Sequence, residues 1–255
     1  MEIPVHPATH WVGVLGMLTG IVVIAGVLRR SRREDISHGV LHLLACVIGL
    51  FAYISFLADR TAVHVDDRSF YVSHYVYWLL SQPLLFVAAA LVALPPLDDV
   101  RQHRLRASLH GGLIGANIAW ISAGLFQAWA RSTAERWAWF AIAGVSVAAL
   151  LWLLWVPVLD QGKRKGGEHL EDYRVVAAVL SVLSLAYLAV WFLGEPGLRL
   201  WSTAVDLSIF VVLDVSSDAG LGIMSVVLIE RLAKHVDAEP GETSIAASAR
   251  AQQSS

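Results

Sequence analysis

The sequence predicts an all-α protein built as a bundle of seven transmembrane helices, and three observations carry that prediction. Of the 255 residues, 56% are hydrophobic and only 16% are charged. A soluble domain carries about a quarter charged residues, so this chain cannot cover itself with a water-facing surface. Its apolar residues come in long runs and not in period-two alternation, which argues against an outer-membrane barrel. Ten tryptophans suit membrane interfaces and aromatic-lined pockets. The net charge of −2 leaves no basic patch for a nucleic-acid partner. A single cysteine, Cys46 inside an apolar run, excludes an intramolecular disulfide framework and a Cys-rich metal site.

A helix needs about 20 mostly apolar residues to cross the hydrocarbon core. Span 1, at 11–29, ends on the charged run Arg29-Arg30-Ser31-Arg32-Arg33-Glu34-Asp35. Span 2, at 38–58, opens behind Ser37, which reads as an N-cap. Span 3, at 70–94, stops at Pro95-Pro96-Leu97-Asp98-Asp99 and holds a mid-helix Gln82-Pro83, where proline frees a carbonyl and kinks the helix. Span 4 is 107–130. Span 5, at 135–158, follows the capping pair Ser132-Thr133 and ends before Gly162-Lys163-Arg164-Lys165-Gly166-Gly167. Span 6, at 173–194, stops at Gly194-Glu195-Pro196-Gly197, and span 7 runs over 201–232. The connections are short, so consecutive spans are antiparallel neighbours in one bundle, without internal repeats.

Lys and Arg set the orientation. Fourteen lie after spans 1, 3, 5 and 7, against five on the other side. The N-terminus is therefore expected outside and the C-terminus in the cytoplasm of a multi-pass plasma-membrane protein. The domains read as an extracellular segment 1–10, a transmembrane domain 11–235 and a disordered polar tail 236–255. No signal peptide is expected, because the first ten residues lack a basic n-region.

Ionisable residues inside a membrane are costly, which makes each a candidate for function. Span 7 is the richest, with Asp206, Asp214 and Asp218. Asp214 and Asp218 are four apart, hence on one helix face, and read as a buried polar site able to hold a cation or share a proton. Asp206 lies about 18 Å along the axis from Asp218 and reads as a solvated end residue. Span 3 places His74, Tyr77, Trp78 and Ser81 on a single face; taken alone this is an aromatic packing stripe with one satisfied histidine. Ser184, Tyr187 and Trp191 form a similar face in span 6, and Asn117 and Ser122 in span 4 suit hydrogen bonds to neighbouring helices. His38 and His42 read as solvated interfacial histidines. Both rings could meet one metal ion, but zinc needs a third protein ligand and only Asp35 is near, so no metal site is expected. With no Gly-rich phosphate loop and no nucleophile constellation, catalytic residues are not expected and the chain is not read as an enzyme.

Leu213-Asp214-Val215-Ser216-Ser217-Asp218-Ala219-Gly220-Leu221-Gly222 and Tyr75-Val76-Tyr77-Trp78-Leu79-Leu80-Ser81-Gln82-Pro83-Leu84-Leu85 resemble the seventh- and third-helix signatures of the microbial rhodopsins, the bacteriorhodopsin-like family of seven-helix retinal proteins. Supporting stretches are Ile114-Gly115-Ala116-Asn117 through Gly124-Leu125, Arg136-Trp137-Ala138-Trp139-Phe140 and Tyr187-Leu188-Ala189-Val190-Trp191-Phe192-Leu193-Gly194. The resemblance implies that fold and a retinal pocket walled by Trp78, Ser81, Tyr187, Trp191 and the residue at 218. It also implies a lysine at 218, where retinal is held as a Schiff base, and this chain has Asp218. Of its three lysines, Lys163 and Lys165 lie in a loop and Lys234 lies about 24 Å along the axis from Asp218. The family's third-helix carboxylate falls at Tyr77, its arginine at His74, the pumps' proton donor at Ala88, and one pocket tryptophan at Ser184.

These departures yield the functional reading: an opsin homologue without the Schiff-base lysine, non-pumping, with a sensory, regulatory or assembly role. No covalent cofactor is expected, and retinal binds, if at all, noncovalently. The alternatives are a proton or cation transporter or channel running past His74, Tyr77, Asp214 and Asp218, and a photoreceptor or light-driven pump holding noncovalent retinal. The expected partners are the lipid bilayer, further copies of the chain and a membrane or signalling protein. Tag or protease accessibility on oriented vesicles should place the C-terminus on the cytoplasmic side; an external C-terminus would overturn the assigned orientation.

Overall fold

The structure, a computed structural model, describes residues 7–31, 36–58, 62–65, 68–94, 100–164 and 170–238. Within them seven helices are long and apolar enough to cross a membrane. They are α1 (Pro7–Arg30), α2 (Ser37–Leu57), α3 (Val72–Ala93), α4 (Val100–Trp129), α5 (Thr133–Arg164), α6 (Leu170–Leu193) and α7 (Thr203–Glu230), the last continuing helically to Ala238. Each helix packs on its chain neighbours, and α7 closes the ring on α1. α3 also touches α6 and α7 across the interior. In the most apolar window of α3, 67% of the residues are buried, against 28–50% in the other six helices, so the polar face of α3 points into protein and not into lipid. Val22, Phe51, Val145 and Val182 point outward from other helices, as expected of a bundle whose solvent is hydrocarbon.

Local chemistry explains most of the boundaries. α5 begins at a capping box: Ser132 Oγ accepts from the Glu135 amide at 3.2 Å, and the Glu135 carboxylate accepts from the Ser132 amide at 3.3 Å. Ser37 does not cap α2. It is the first helical residue, and Ile36 precedes it without a side-chain cap. The link between α2 and α3 is an antiparallel hairpin, β1 (Ala62–Val65) paired with β2 (Arg68–Tyr71), with Val63 opposite Phe70. The alternation Val63-His64-Val65 and Ser69-Phe70-Tyr71 carries that signal, but the end of this stretch merges into the apolar run of α3. Asp35, the Pro95-Pro96 loop, residues 1–6 of the N-terminal segment and residues 239–255 of the tail lie outside the described residues.

Two helices contain a widened, π-helical turn. In α5 it spans Leu154–Val158 around Pro157, which lacks an N–H, and the Tyr173 hydroxyl donates to the Leu154 carbonyl at 2.6 Å. In α7 it spans Val215–Gly220. There Ser216 Oγ donates to the Val212 carbonyl and Ser217 Oγ to the Asp214 carbonyl, which satisfies backbone acceptors that a π turn leaves poorly paired. The simple four-residue face of Asp214 and Asp218 is thereby broken: Asp214 closes the regular helix and Asp218 sits inside the widened turn.

α1 meets both α7 and α2 at Gly20, where a Cβ would lie 2.7 Å from Ala219 Cβ and 2.9 Å from Cys46 Sγ. Gly20→Val should therefore destabilise the bundle by about 1–3 kcal/mol. Gly26→Ala, at a position with nothing within 4 Å, should be neutral or stabilising. Thermal unfolding of both variants in one detergent checks the contrast; equal midpoints would show that α1 does not pack as described.

Candidate functional site

The centre of the bundle is the Asp214 carboxylate, which is fully buried. Each of its oxygens meets two donors. Oδ2 accepts from the Tyr53 hydroxyl at 2.5 Å and lies 2.8 Å from His74 Nε2. Oδ1 accepts from Trp78 Nε1 at 2.7 Å and from the Tyr187 hydroxyl at 2.6 Å. These donors come from α2, α3 and α6, so one α7 side chain ties four helices together. Four donors on two oxygens saturate the acceptor capacity of an ionised carboxylate.

Asp218, also fully buried, is served differently. Its Oδ2 accepts from the Tyr77 hydroxyl at 2.5 Å, and Ser217 Oγ lies 3.3 Å from Oδ1. Tyr77 thus serves Asp218, while the third-helix donors to Asp214 are His74 and Trp78. The widened turn is the physical reason, since it rotates Asp218 toward α3 at the depth of Tyr77 and leaves Asp214 one turn nearer His74. Tyr53, absent from the sequence-derived site, joins it from α2 through its bond to Asp214.

Around the carboxylates lies a continuous aromatic cluster. The rings of His74 and Trp78 are 4.1 Å apart, those of Trp78 and Tyr187 5.7 Å, and those of Trp78 and Trp191 5.8 Å; Trp191 lies 5.8 Å from Trp120. Trp191 also rests on Gly124, where an added Cβ would sit 2.4 Å from its ring edge. Ser81 is fully buried in α3 with no partner for its hydroxyl among the described residues. Ser184 bonds the Leu180 carbonyl of its own helix. Asn117 is buried without the interhelical bond expected of it, for neither amide atom has a partner among the described residues.

Three further readings are corrected by burial. Asp206 is not a solvated end residue: it is 3% exposed and accepts from the Glu195 amide at 2.6 Å and from Trp201 Nε1. It holds the α6–α7 turn onto the first turn of α7, and that turn carries Arg199 at a positive φ of 56°. His38 and His42 are also buried, His42 completely, because α1 and α7 pack over the first turns of α2. Among the described residues no cluster of three or more His, Cys, Asp or Glu is arranged to hold a metal. At the hairpin end a cleft lined by Tyr71, His74, Glu195 and Asp206 leads toward the His74–Asp214 pair.

A seven-helix membrane bundle with a carboxylate of the last helix buried among tyrosine, tryptophan and histidine of the second, third and sixth defines the class of a retinal-protein fold. The chain belongs to the bacteriorhodopsin-like protein family, whose model matches residues 6–232. It is 29% identical over 256 residues to archaerhodopsin-1 of Halorubrum ezzemoulense, covering 96% of this chain and 92% of that protein. It is 25% identical over 215 residues to sensory rhodopsin-2 of Natronomonas pharaonis, covering 84% and 85%. The crystal structure of thermophilic rhodopsin from Rubrobacter xylanophilus superposes with a TM-score of 0.79 at 26% identity, covering 89% of this chain and 96% of that one.

The family uses retinal, and the residues here can be tested against it. An imine needs an amine, and position 218 supplies a carboxyl already engaged by Tyr77. A carbon chain in contact with two aromatic faces separates them by about 7 Å, whereas Trp78 and Trp191 meet edge to face at 5.8 Å. In this arrangement the site does not fit retinal between these two walls.

The two acids should respond unequally to the isosteric amide. Asp214→Asn turns an NH2 toward two donors and should cost about 3 kcal/mol or more. Asp218→Asn can still accept from Tyr77 and should cost about 1 kcal/mol. Thermal or denaturant unfolding of the two variants checks the order; equal losses would remove Asp214 from its central place.

Proposed function

We propose that this chain is a pigment-free member of its family, an opsin-like bundle that does not pump ions by light and has a sensory, regulatory or assembly role. The observation that carries the proposal is the Tyr77–Asp218 hydrogen bond at 2.5 Å. Where the resemblance implies an amine on α7 facing a carboxylate on α3, this chain pairs a carboxyl on α7 with a phenol on α3. Such a bundle acts through contacts in the bilayer, with copies of itself or with a membrane signalling protein.

A second reading is supported by the cleft at the hairpin end, which is lined by His74, whose Nε2 lies 2.8 Å from Asp214. It would make His74, Tyr77, Asp214 and Asp218 stations on a light-independent proton or cation pathway.

An absorption spectrum of the purified protein with added retinal, in light and dark and before and after hydroxylamine, tests the first reading. The expected result is no red-shifted band that hydroxylamine abolishes. Asp218→Lys should give weak pigment at best, because Tyr77 offers a phenol where a counterion is needed. A robust pigment in the unmodified protein would overturn the reading. Passive dissipation of a pH gradient in vesicles, lost in Asp218→Asn, would favour the second reading over the first.

A further inference from the structure

β2 runs directly into α3, which sets Phe70 and Tyr71 beside Tyr75 and Trp78 in the first two turns of that helix. These four rings and Phe210 of α7 line the cleft at the hairpin end. They form a continuous wall: the ring of Phe70 lies 6.1 Å from that of Tyr75, Tyr75 5.5 Å from Trp78, and Trp78 5.0 Å from Phe210. The cleft encloses about 50 Å³ of free space, room for about four water-sized groups.

The same cleft is lined by two acids, Glu195 and Asp206. Glu195 has a cation of its own turn, with Arg199 Nε 3.7 Å from its Oε1. Asp206 is buried and has no ion-pair partner among the described residues. Its oxygens accept one bond each, from the Glu195 amide and from Trp201 Nε1, whereas an ionised carboxylate has about four acceptor sites. A buried charge without a counter-charge is poorly tolerated. Tyr75 is the second group left over. It is 5% exposed and lines the cleft, and its hydroxyl has no hydrogen-bond partner among the described residues. Leaving such a group unpaired is costly. His74, the remaining titratable group of the lining, is engaged through Nε2 by Asp214.

We propose that this cleft binds a small primary ammonium ion, with its N–H groups directed to Asp206 and the Tyr75 hydroxyl and its carbon chain laid against the aromatic wall. An ammonium group offers three donors and no acceptor, which suits the open positions of Asp206 and the lone pairs of Tyr75. Aromatic rings attract a cation held within about 6 Å of their centroids. Four heavy atoms, those of propylammonium, match the free space. A bare metal ion would meet a wall that is mostly carbon, without the oxygen ligands it needs, and an anion would be repelled by the acids. Free amines and ethanolamine lipid headgroups share the required chemistry. The inference goes beyond the pigment-free reading and does not depend on it, nor does it need an ion to pass through the bundle.

Calorimetric titration of the full-length protein in phosphatidylcholine nanodiscs with propylammonium tests the proposal, with empty nanodiscs as the blank. The expected result is saturable one-to-one binding, with 1-propanol, which has the same chain and no charge, weaker by about tenfold or more. An equal concentration of sodium ion should not displace the amine. Tyr75→Phe, which keeps the ring and spares the turn that Asp206 holds, should weaken binding by about tenfold. Absence of saturable binding overturns the proposal, as does 1-propanol binding as tightly as the amine or a folded Tyr75→Phe binding like the wild type. If Tyr75→Phe does not fold, Phe210→Leu, which removes a ring of the wall, and the contrast between amine and alcohol decide in the same way. Replacing part of the lipid by phosphatidylethanolamine separates the two sources. A weaker apparent affinity for propylammonium there assigns the site to the lipid headgroup, and an unchanged affinity assigns it to a free amine. A retinal pigment would sink the pigment-free reading and leave these affinities untouched.

Discussion

The structure depends on one interaction, the saturation of the Asp214 carboxylate by four donors from three other helices. A charge taken out of water is tolerated only when its lone pairs are filled, so each donor is held to a narrow geometry. Tyr53 fixes the rotation of α2, His74 and Trp78 that of α3, and Tyr187 that of α6. The aromatic contacts follow from this. Trp78 cannot donate to Oδ1 without placing its ring against His74, Tyr187 and Phe210, and those contacts are present. Hydrogen bonds to a charged group contribute about 1.5–3 kcal/mol each, far more than the packing of a single lipid-facing side chain.

With Asp214 fixed, positions 77 and 218 become one problem. A second buried acid one turn along α7 would be intolerable beside a carboxylate on α3, since the two would repel at close range in a medium of low dielectric. A phenol at 77 removes that repulsion and supplies a donor. The bridge between α3 and α7 is kept with its polarity reversed. Asp218 with an acid at 77 would lose the donor that the Tyr77 hydroxyl supplies. The pair is a complete hydrogen-bonded bridge between α3 and α7.

The seven helices and the family were legible because lipid imposes long apolar runs and because two motifs stood in the right spans. The site was legible in its members, His74, Tyr77, Trp78, Tyr187, Asp214 and Asp218, but less so in its pairings. Tyr77 meets Asp218 while His74 and Trp78 meet Asp214, a division of donors that the spacing along either helix does not specify. Asp206 and His42 were read as solvated by their nearness to helix ends. Their burial depends on the fold of the α6–α7 turn and on the packing of α1 and α7 over α2, neither of which leaves a mark on local sequence. The hairpin between α2 and α3 was hidden because β2 runs directly into the apolar stretch of α3.

The two sides of the bundle differ in how they can respond to any signal at the carboxylates. On one side α1, α2 and α7 meet at glycines whose missing side chains are filled by neighbours: Gly13 by Tyr53, Gly16 by Val215, Gly20 by Ala219 and Cys46, Gly49 by Met17. Backbones in such contact cannot shift without overlap. On the other side Gly124 of α4 is filled by the Trp191 ring, Gly111 and Gly115 face outward, and α5 contains the widened turn at Pro157. A change at Asp214 reaches α6 directly through Tyr187, and α6 meets α5 where Trp155 donates to Ser181 and Tyr173 to the Leu154 carbonyl. The bonds from Asp214 to Tyr187 and from α6 to α5 therefore tie the buried carboxylate, through side chains and backbone, to the widened turn of α5.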